Sequence, residues 1–458
     1  MEFIESNRGG VTLIKDGHRL RRKRQKDVTE YWQCMACSAT VVTVNRTISK
    51  ESAHDHPPNR VAAANDKLKS NLRKRAVEDS ELSVQAIYES EVRAFADRPQ
   101  NRDAEIGVIP TFDQVRSSMY RKRSTVIPLL PQRRQDIEIP VNYSTVNNEN
   151  FLIVDDGDEN RILLFSTQGN LETLCRCDVI YGDGTFYSSP LLFTQIYTLH
   201  GMFNGTMFPL VYALLLSKSE EDYSRMLHRL DLYLATKGLV LNPQAVVLDY
   251  ELAAHNAWRN SRPATQLKGC MFLFGQCVWR KIQSVGLQHV YAIDGEFQAW
   301  ARLILSLPLL PTYEIQNQWI RIVERAPIEQ HPAAQVLCDY MSNFWINDNS
   351  ATFAIPVWNH FATDGPRTTN HIEGWHKKLN GLVGHPHPNV FRIIGVFQKE
   401  QQMTAIKMIQ AQHGVSVPRR KKKYVDVDNR IRNLKLRLIN DDCTVDEFAT
   451  AISHLLGF

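Results

Sequence analysis

Three acidic residues stand where they could act together on a phosphodiester bond. Asp183 lies in a Gly-Asp-Gly motif, Asp249 follows a short apolar run, and Glu373 ends the sequence Asn-His-Ile-Glu. Carboxylate oxygens are the ligands that Mg²⁺ prefers, and two such ions about 4 Å apart can activate a nucleophile and stabilise a leaving oxygen. If the fold gathers them, these residues would form a centre for phosphodiester cleavage and strand transfer with Mg²⁺ or Mn²⁺.

Each of the three acids also has a purely structural interpretation. A Gly-Asp-Gly sequence around Asp183 is a turn signature. Asp249 could cap a helix that begins at Tyr250. Asn370 and Glu373 have the spacing of a helix capping box. The catalytic interpretation therefore depends on the elements that carry the three residues.

The elements around the two aspartates predict a strand–strand–strand–helix–strand order. Residues 177–186, 193–203 and 206–216 have strand patterns, and the last two are joined by Asn204-Gly205, a hairpin signal because both turn positions need φ > 0. A helical pattern over 220–235 precedes the apolar run 244–248. One aspartate on the first strand and another after the fourth is a ribonuclease-H-like α/β layout, in which the carboxylates meet over the sheet.

A second set of residues has the types and spacing of a zinc site. Cys34 and Cys37 form a Cys-x-x-Cys turn, and His54 and His56 form a His-x-His that presents both imidazoles to one face of an extended segment. Two thiolates and two imidazoles describe a structural tetrahedral Zn²⁺ site. The small β-rich unit around them, residues 1–60, would need such a metal because its core is small. The alternative is a chance Cys-x-x-Cys near a polar loop.

The composition is that of a globular protein with local basic runs. The chain has 458 residues, enough for about three domains, and a formal net charge of +5. Basic residues concentrate in 18–26 and 419–423, where they predict phosphate contacts, nuclear import signals or solvated tails. The polar start and the lack of a long apolar run predict no signal peptide and no membrane partner. The 8 cysteines are then expected to be thiols or metal ligands.

The remaining segments are predicted to be helical. Residues 61–135 predict a helical basic spacer, with a mobile charged stretch near 97–105. A hairpin of residues 151–154 and 161–165 leads into the core. Residues 401–458 predict a helical basic tail that packs back on the core or supports a homo-oligomer.

The N-terminal unit resembles the FLYWCH zinc finger. The resemblance covers residues 3–57 and rests on Phe3, Ser6, Arg8-Gly9-Gly10, Leu13, Asp16-Gly17-His18, Tyr31-Trp32, Cys34, Cys37, Ala39, His54 and His56. It implies zinc at Cys34, Cys37, His54 and His56, and binding to DNA.

Residues 175–400 resemble the Mutator-like (MULE) transposase domain. The resemblance rests on Tyr181-Gly-Asp-Gly-Thr-Phe186, Val247-Leu-Asp-Tyr-Glu251, Ala254, Asn256, Gly269-Cys270, Phe272, Gln276, Trp279-Arg-Lys281, Thr369-Asn370, Glu373 and His376. It implies a ribonuclease-H-like fold over 136–400, interrupted by a helical insertion at about 287–366. It also implies an Asp-Asp-Glu triad of Asp183, Asp249 and Glu373 that holds Mg²⁺ or Mn²⁺.

These resemblances lead to two hypotheses of different classes. The first is a nuclear, transposon-derived DNA transposase that binds the double-stranded ends of its element and cuts and joins strands. The second is a domesticated, inactive DNA-binding or regulatory protein. Leu273 favours the second, because the family usually carries Cys-x-x-His there and leucine can neither bind metal nor donate a hydrogen bond. A metal nuclease without strand transfer is a third, weaker alternative.

Overall fold

The computed structural model describes residues 1–6, 9–80, 82–97, 106–129, 131–157, 159–363, 367–415 and 422–457. The chain forms two compact units. The first comprises Met1–Pro131, Gly381–His385 and Asn389–Val396, and the second comprises Gln132–Asn380, Pro386–Pro388 and Phe397–Phe458. Most of the charged stretch predicted near 97–105, and most of the basic run 419–423, lie outside the described residues.

The first unit contains a six-stranded antiparallel sheet whose strands follow chain order. The strands are β1 (Glu2–Glu5), β2 (Val11–Lys15), β3 (His18–Lys26), β4 (Thr29–Cys34), β5 (Thr40–Val44) and β6 (Thr47–Glu51). Leu13, Leu20, Trp32 and Val41 form its small core. The strands predicted from the apolar runs are confirmed. The basic run 18–26 is also a strand, and its residues from Arg21 onward are exposed.

Three helices among the described residues lie wholly in the first unit. They are α1 (Arg60–Glu78), α2 (Val84–Ala96) and α3 (Phe112–Arg123). They share a buried core that includes Leu72, Ile87 and Met119. Ion pairs connect helix to sheet, with Arg19 Nη1 3.0 Å from Asp66 Oδ2 and Lys122 Nζ 2.7 Å from Glu5 Oε1. The predicted helices are confirmed, and the segment predicted as a spacer has a core of its own.

The second unit is built on a seven-stranded sheet. Its strands are β9 (Leu152–Asp155), β10 (Leu163–Phe165), β11 (Val179–Thr185), β12 (Gln195–Phe203), β13 (Thr206–Leu215), β14 (Ala245–Leu248) and β15 (Gln266–Gly269), in the order β15-β14-β11-β12-β13-β10-β9. Strands β11, β14 and β15 are mutually parallel, and every other pairing is antiparallel. The short strands β7 (Thr145–Val146) and β8 (Glu149–Asn150) form a separate pair.

The helices that lie wholly or largely in the second unit alternate with and follow these strands, and two of them include residues of the first unit, 381–383 and 390–396. They are α4 (Val141–Ser144), α5 (Gln168–Arg176), α6 (Glu220–Thr236), α7 (Leu252–Ser261), α8 (Met271–Ser284), α9 (Gln288–Ile293), α10 (Gly295–Leu303), α11 (Ile315–Glu324), α12 (Ala333–Met341), α13 (Ile355–Trp358), α14 (Asn370–Val383), α15 (Val390–Gln412), α16 (Lys422–Ile439) and α17 (Val445–Leu455). The predicted order of three strands, a helix and a fourth strand is confirmed. So are the hairpin β9–β10 and the Asn204-Gly205 turn, whose φ values are 46° and 78°.

The two faces of the sheet pack against different elements because successive side chains point to opposite faces. Ile180 and Val246 lie in the core shared with helices α5, α6 and α7. Tyr181 and Val247 point the other way and pack against Ile372 of α14. This packing brings the start of α14 close to the ends of β11 and β14.

Helices α8 to α13 enclose a second hydrophobic core. It contains several tryptophans, and the last two helices contribute Ile431, Phe448 and Ile452 to it. The described residues of the segment predicted as an insertion, 287–363, contain helices that line this core, and the last two helices of the chain pack on the same core. In the part of the chain that the structure describes, no helix has both the length and the apolar character needed to cross a bilayer.

Candidate functional site

Asp183 and Asp249 lie side by side at one end of the central sheet. Strand β11 pairs in parallel with β14, with Tyr181 opposite Val247 as the last registered pair. Asp183 is two residues beyond Tyr181, and Asp249 is two residues beyond Val247. Because side chains alternate along a strand, both carboxylates belong to the face that packs against Ile372.

Glu373 comes to this end of the sheet through the helix that follows the insertion. Its neighbour Ile372 is fully buried against Tyr181 and Val247. The backbone amides of Ile372 and Glu373 both donate to the carbonyl of Thr369, which fixes the first turn of α14. All three predicted acids thus lie in the second unit, near the ends of β11 and β14.

The environment of the site opposes ionisation of the carboxylates. Burial, the nearby charge of Asp249 and that of Glu373 raise the pKa of Asp183 to about 7, against a donated hydrogen bond from the Gly184 amide at 2.7 Å. Burial, followed by the charge of Glu251, raises the pKa of Asp249 to about 6. Burial also raises the pKa of Glu373. The site therefore disfavours the ionised carboxylates unless a cation neutralises them.

Four further polar side chains border the acids: Lys218, Tyr223, Glu251 and His376. Lys218 Nζ lies 3.2 Å from Glu251 Oε2, and the hydroxyl of Tyr223 donates to Glu251 Oε1 at 2.8 Å. His376, one turn after Glu373, places Nδ1 3.6 Å from Asp183 Oδ2. Burial lowers the pKa of His376 to about 4, so the imidazole is neutral near pH 7.

The structure does not show the turn at Asp183 or the helix caps at Asp249 and Asn370 that the purely structural interpretations require. Helix α7 begins at Leu252 with Glu251 as its N-cap, so Asp249 lies before the cap. Helix α14 begins at Asn370, which makes Asn370 its first residue and not a preceding cap. Asp183 is within β11 and not in a turn. None of the three structural interpretations accounts for its acid.

The carboxylates are less tightly gathered than a loaded metal site would be. Among the described residues, groups of three or more donor atoms lying within 4.8 Å of one another are found in the N-terminal sheet unit and not at Asp183. The donor chemistry nevertheless fits Mg²⁺ or Mn²⁺, since all three residues offer hard oxygen ligands.

The cysteines and histidines of the first unit are closely gathered. Cys34 Sγ is 3.3 Å from His56 Nε2, and Cys37 Sγ is 3.4 Å from His54 Nδ1. With metal bonds of 2.0–2.3 Å, ligand atoms of a tetrahedral zinc shell lie about 3.3–3.8 Å apart. The donor set and its spacing therefore fit Zn²⁺.

One histidine that the sequence did not predict as a ligand joins this cluster. The four donors that all lie within 4.8 Å of one another are His18, Cys34, His54 and His56. Cys37 instead groups with Asp55 and His56. His18 stacks on His54 with ring centroids 3.6 Å apart.

Family models match both parts of the chain. The model described as the FLYWCH zinc finger domain matches residues 3–56, and the model described as the MULE transposase domain matches residues 179–276. The chain carries a FLYWCH zinc finger followed by a MULE transposase domain. A search of curated proteins gives no match. The two domains support a transposase-derived, DNA-binding protein, and the finger with its cluster supports Zn²⁺.

The MULE match includes both aspartates but ends before the glutamate. Asp183 and Asp249 lie within residues 179–276, whereas Glu373 lies beyond them. Cys270 is also inside the match, where its buried sulfur accepts hydrogen bonds from the amide and hydroxyl of Thr369 at 3.3 Å. Cys270 thereby links the end of the MULE match to the residue before α14. Leu273, at the position of the usual histidine, is half-buried on α8.

Lys218 and Glu251 border the site, although neither is among the residues predicted to act there. A signal for Lys218 was present, since β11 and β13 both run antiparallel to β12 and therefore end at the same edge of the sheet. Lys218 lies three residues after the end of β13, and Asp183 lies two residues before the end of β11. Glu251 lies two residues after Asp249 in the sequence, where an acid is also favoured by the start of a helix, and this obscures its place beside the site.

Proposed function

We propose that this protein is a transposon-derived DNA transposase of the Mutator-like class, with a ribonuclease-H-like core. The observation that carries the proposal is the approach of Asp183, Asp249 and Glu373 at one end of the sheet, where burial raises the pKa of all three and neighbouring carboxylates raise those of the two aspartates further. Buried carboxylates that oppose one another's ionisation are typical of functional sites.

The order of the sheet supports the ribonuclease-H-like assignment. The three antiparallel strands β11, β12 and β13 are followed by β14 and β15, which add in parallel on the other side of β11. In this arrangement the aspartate of the first strand and the aspartate after the fourth are neighbours. The predicted domain limits, 1–60, 61–135, 136–400 with an insertion at about 287–366, and 401–458, remain part of the proposal.

In the proposed site, Asp183, Asp249 and Glu373 would hold Mg²⁺ or Mn²⁺. The bound ions would supply activation of the attacking oxygen and charge stabilisation at the leaving oxygen. Lys218, whose side chain is about half exposed beside Glu251, is available to a DNA phosphate. His376 lies beside Asp183 as a neutral imidazole, so it would not repel a cation bound by the carboxylates.

The finger is proposed to deliver the protein to double-stranded DNA at element ends. Cys34, Cys37, His54 and His56 would hold structural Zn²⁺. Strand β3 presents consecutive exposed basic residues, Arg21 to Arg24 followed by Lys26, which suit phosphate contacts. A nuclear location and assembly as a homo-oligomer belong to the same proposal.

Two observations favour the alternative of a domesticated, non-catalytic DNA-binding protein. Leu273 stands where the family usually has a histidine. The donor atoms of the three carboxylates are also not gathered as closely as those of the finger. In this alternative the finger supplies targeting and the MULE domain supplies architecture. A nuclease without strand transfer is the third possibility, and it shares the same three acids.

The test is Mg²⁺- or Mn²⁺-dependent nicking and strand transfer on supercoiled DNA. Mutation of a residue that only supports a metal ligand typically lowers metal affinity or activity by about 10–100-fold. We therefore expect Asp183→Asn, Asp249→Asn and Glu373→Gln, which change proposed ligands, each to lower the nicking rate by about a hundredfold or more. Asp178→Asn is the matched control, because Asp178 is exposed at the opposite end of β11. Inactive wild-type protein that still binds DNA would favour the domesticated alternative, and nicking without joining would favour the nuclease.

A further inference from the structure

The metal cluster of the finger contains one donor more than a four-ligand zinc site needs. His18, Cys34, His54 and His56 form a group whose donor atoms all lie within 4.8 Å of one another, and Cys37 lies beside it, 3.4 Å from His54 Nδ1. Two thiols and three imidazoles are therefore available to one ion. Structural zinc is almost always four-coordinate, so the five donors cannot all be used at once.

The fold holds His18 at the cluster. His18 is the first residue of β3, and Leu20, on the same face two residues later, is registered opposite Cys34. The amide of Met35 also donates to the carbonyl of Arg19 at 2.9 Å, which joins the start of β3 to the Cys34 turn. His18 is thus positioned by strand pairing next to the thiol of Cys34.

The His18 ring has an unused polar atom inside the cluster. Its Nδ1 is buried and has no hydrogen-bond partner among the described residues. The ring stacks on His54 at 3.6 Å and meets His56 edge-on at 4.9 Å. A buried ring nitrogen without a partner is costly unless something binds it, and a metal ion would do so.

We propose that His18 is a metal ligand that shares the fourth coordination position with Cys37. Cys34, His54 and His56 are common to both shells. With Cys37 the shell has two thiolates and two imidazoles, and with His18 it has one thiolate and three imidazoles. The finger would then keep its metal when Cys37 is oxidised or otherwise blocked. Cys37 is the more accessible of the two thiols, since Cys34 is buried.

This inference deepens the proposed zinc role of the finger, and cobalt titration of the full-length chain tests the two separately. Tetrahedral Co²⁺ has visible absorption bands, and its near-ultraviolet charge-transfer absorption grows with the number of thiolates. We expect Cys37→Ser to bind one equivalent with roughly half the charge-transfer intensity and an affinity within about tenfold of wild type. The double variant His18→Ala, Cys37→Ser loses both candidates for the fourth ligand, so its Co²⁺ affinity should be about a further hundredfold or more weaker. Arg21→Ala, on the exposed part of β3, is the control.

The outcomes separate the two claims. If wild type binds no tetrahedral metal, the zinc role itself fails. If wild type binds metal but Cys37→Ser alone abolishes binding, or if adding His18→Ala changes nothing, His18 is not a ligand.

Zinc release during thiol alkylation tests the inference without altering the cysteines. The zinc-loaded wild type should retain its ion after Cys37 has been alkylated, whereas His18→Ala should release zinc in step with that modification. Mass spectrometry identifies the modified thiol. Release at the same rate from both proteins would overturn the inference.

Discussion

The state of each carboxylate at the candidate site is set by its immediate neighbours. Asp183 is buried near Asp249, Glu373 and a neutral His376, while the Gly184 amide and the charge of Lys218 favour its ionised form. An aspartate in such a place is stabilised when it is protonated or when a cation is bound. The fold therefore carries an energetic cost at neutral pH that a divalent ion would remove.

This cost predicts a pH dependence of stability for the magnesium-free protein. The pKa of Asp183 is about 7 in the folded chain and about 3.9 in an unfolded one, so between these values the folded state holds the extra proton. The free energy of unfolding should fall as the pH rises from about 4 to about 7. Asp183→Asn lacks this dependence and should be more stable than wild type by on the order of 2–4 kcal/mol at pH 8.

Urea unfolding followed by tryptophan fluorescence measures this difference, because seven of the 8 tryptophans lie in the second unit. Zinc is kept in the buffer so that the finger stays loaded. Asp178→Asn should behave as wild type. Equal stability of Asp183→Asn and wild type at pH 8 would contradict the burial of an uncompensated charge.

At the scale of elements, the site depends on the close approach of β12 and β14 to β11. A side chain at Gly182, next to Asp183, would meet the Tyr197 hydroxyl and would lie 2.9 Å from Leu248 Cδ2. Glycine is therefore required by packing at this point, and its position ties the geometry of β11 to that of the neighbouring strands.

Gly182→Ala should therefore destabilise the second unit by about 1–3 kcal/mol, the usual cost of overpacking a filled core. Gly169→Ala is the matched control, because nothing lies within 4 Å of a side chain built there, on helix α5. That change should stabilise by about 0.5–1 kcal/mol. Urea unfolding measures both. An unchanged free energy of unfolding for Gly182→Ala would show that the Tyr197 and Leu248 side chains can move aside.

Sequence reasoning predicted the elements better than the contacts between them. The Asn204-Gly205 turn and the apolar alternation predicted the hairpin, and the spacing of the aspartates predicted their proximity, because turn chemistry and side-chain periodicity are local. His18 and Lys218 could not be predicted from a local motif, because strand pairing brings each to its site: β3 pairs with β4, and β11 and β13 both pair with β12. The basic strand β3 could not be predicted because its residues from Arg21 onward are exposed and mostly charged, so the strand has no apolar alternation.

At the scale of the whole molecule, the C-terminal helices belong to the helical core of the second unit. Phe448 and Ile452 are fully buried there together with residues of helices α8 to α13. The segment predicted as a tail from residue 401 thus contributes buried side chains to the core formed by helices α8 to α13.

Phe448→Ala should destabilise the second unit by about 3–5 kcal/mol, the range for removing a buried phenylalanine. Ile439→Ala is the control, since Ile439 is 61% exposed at the end of α16 and should change stability by less than about 0.5 kcal/mol. Tryptophan-monitored unfolding is again the measurement. Similar effects for the two variants would mean that the tail is not part of this core.

The central claim is that Asp183, Asp249 and Glu373 hold divalent metal together, and metal-directed cleavage of the chain tests it most directly. Fe²⁺ bound in place of Mg²⁺, with ascorbate and hydrogen peroxide, produces hydroxyl radicals that cut the backbone near the ion. The zinc-loaded protein should yield fragments ending near residues 183, 249 and 373, suppressed by excess Mg²⁺ and absent from Asp183→Asn. Fragmentation that is absent, or that persists unchanged in Asp183→Asn, would contradict the claim.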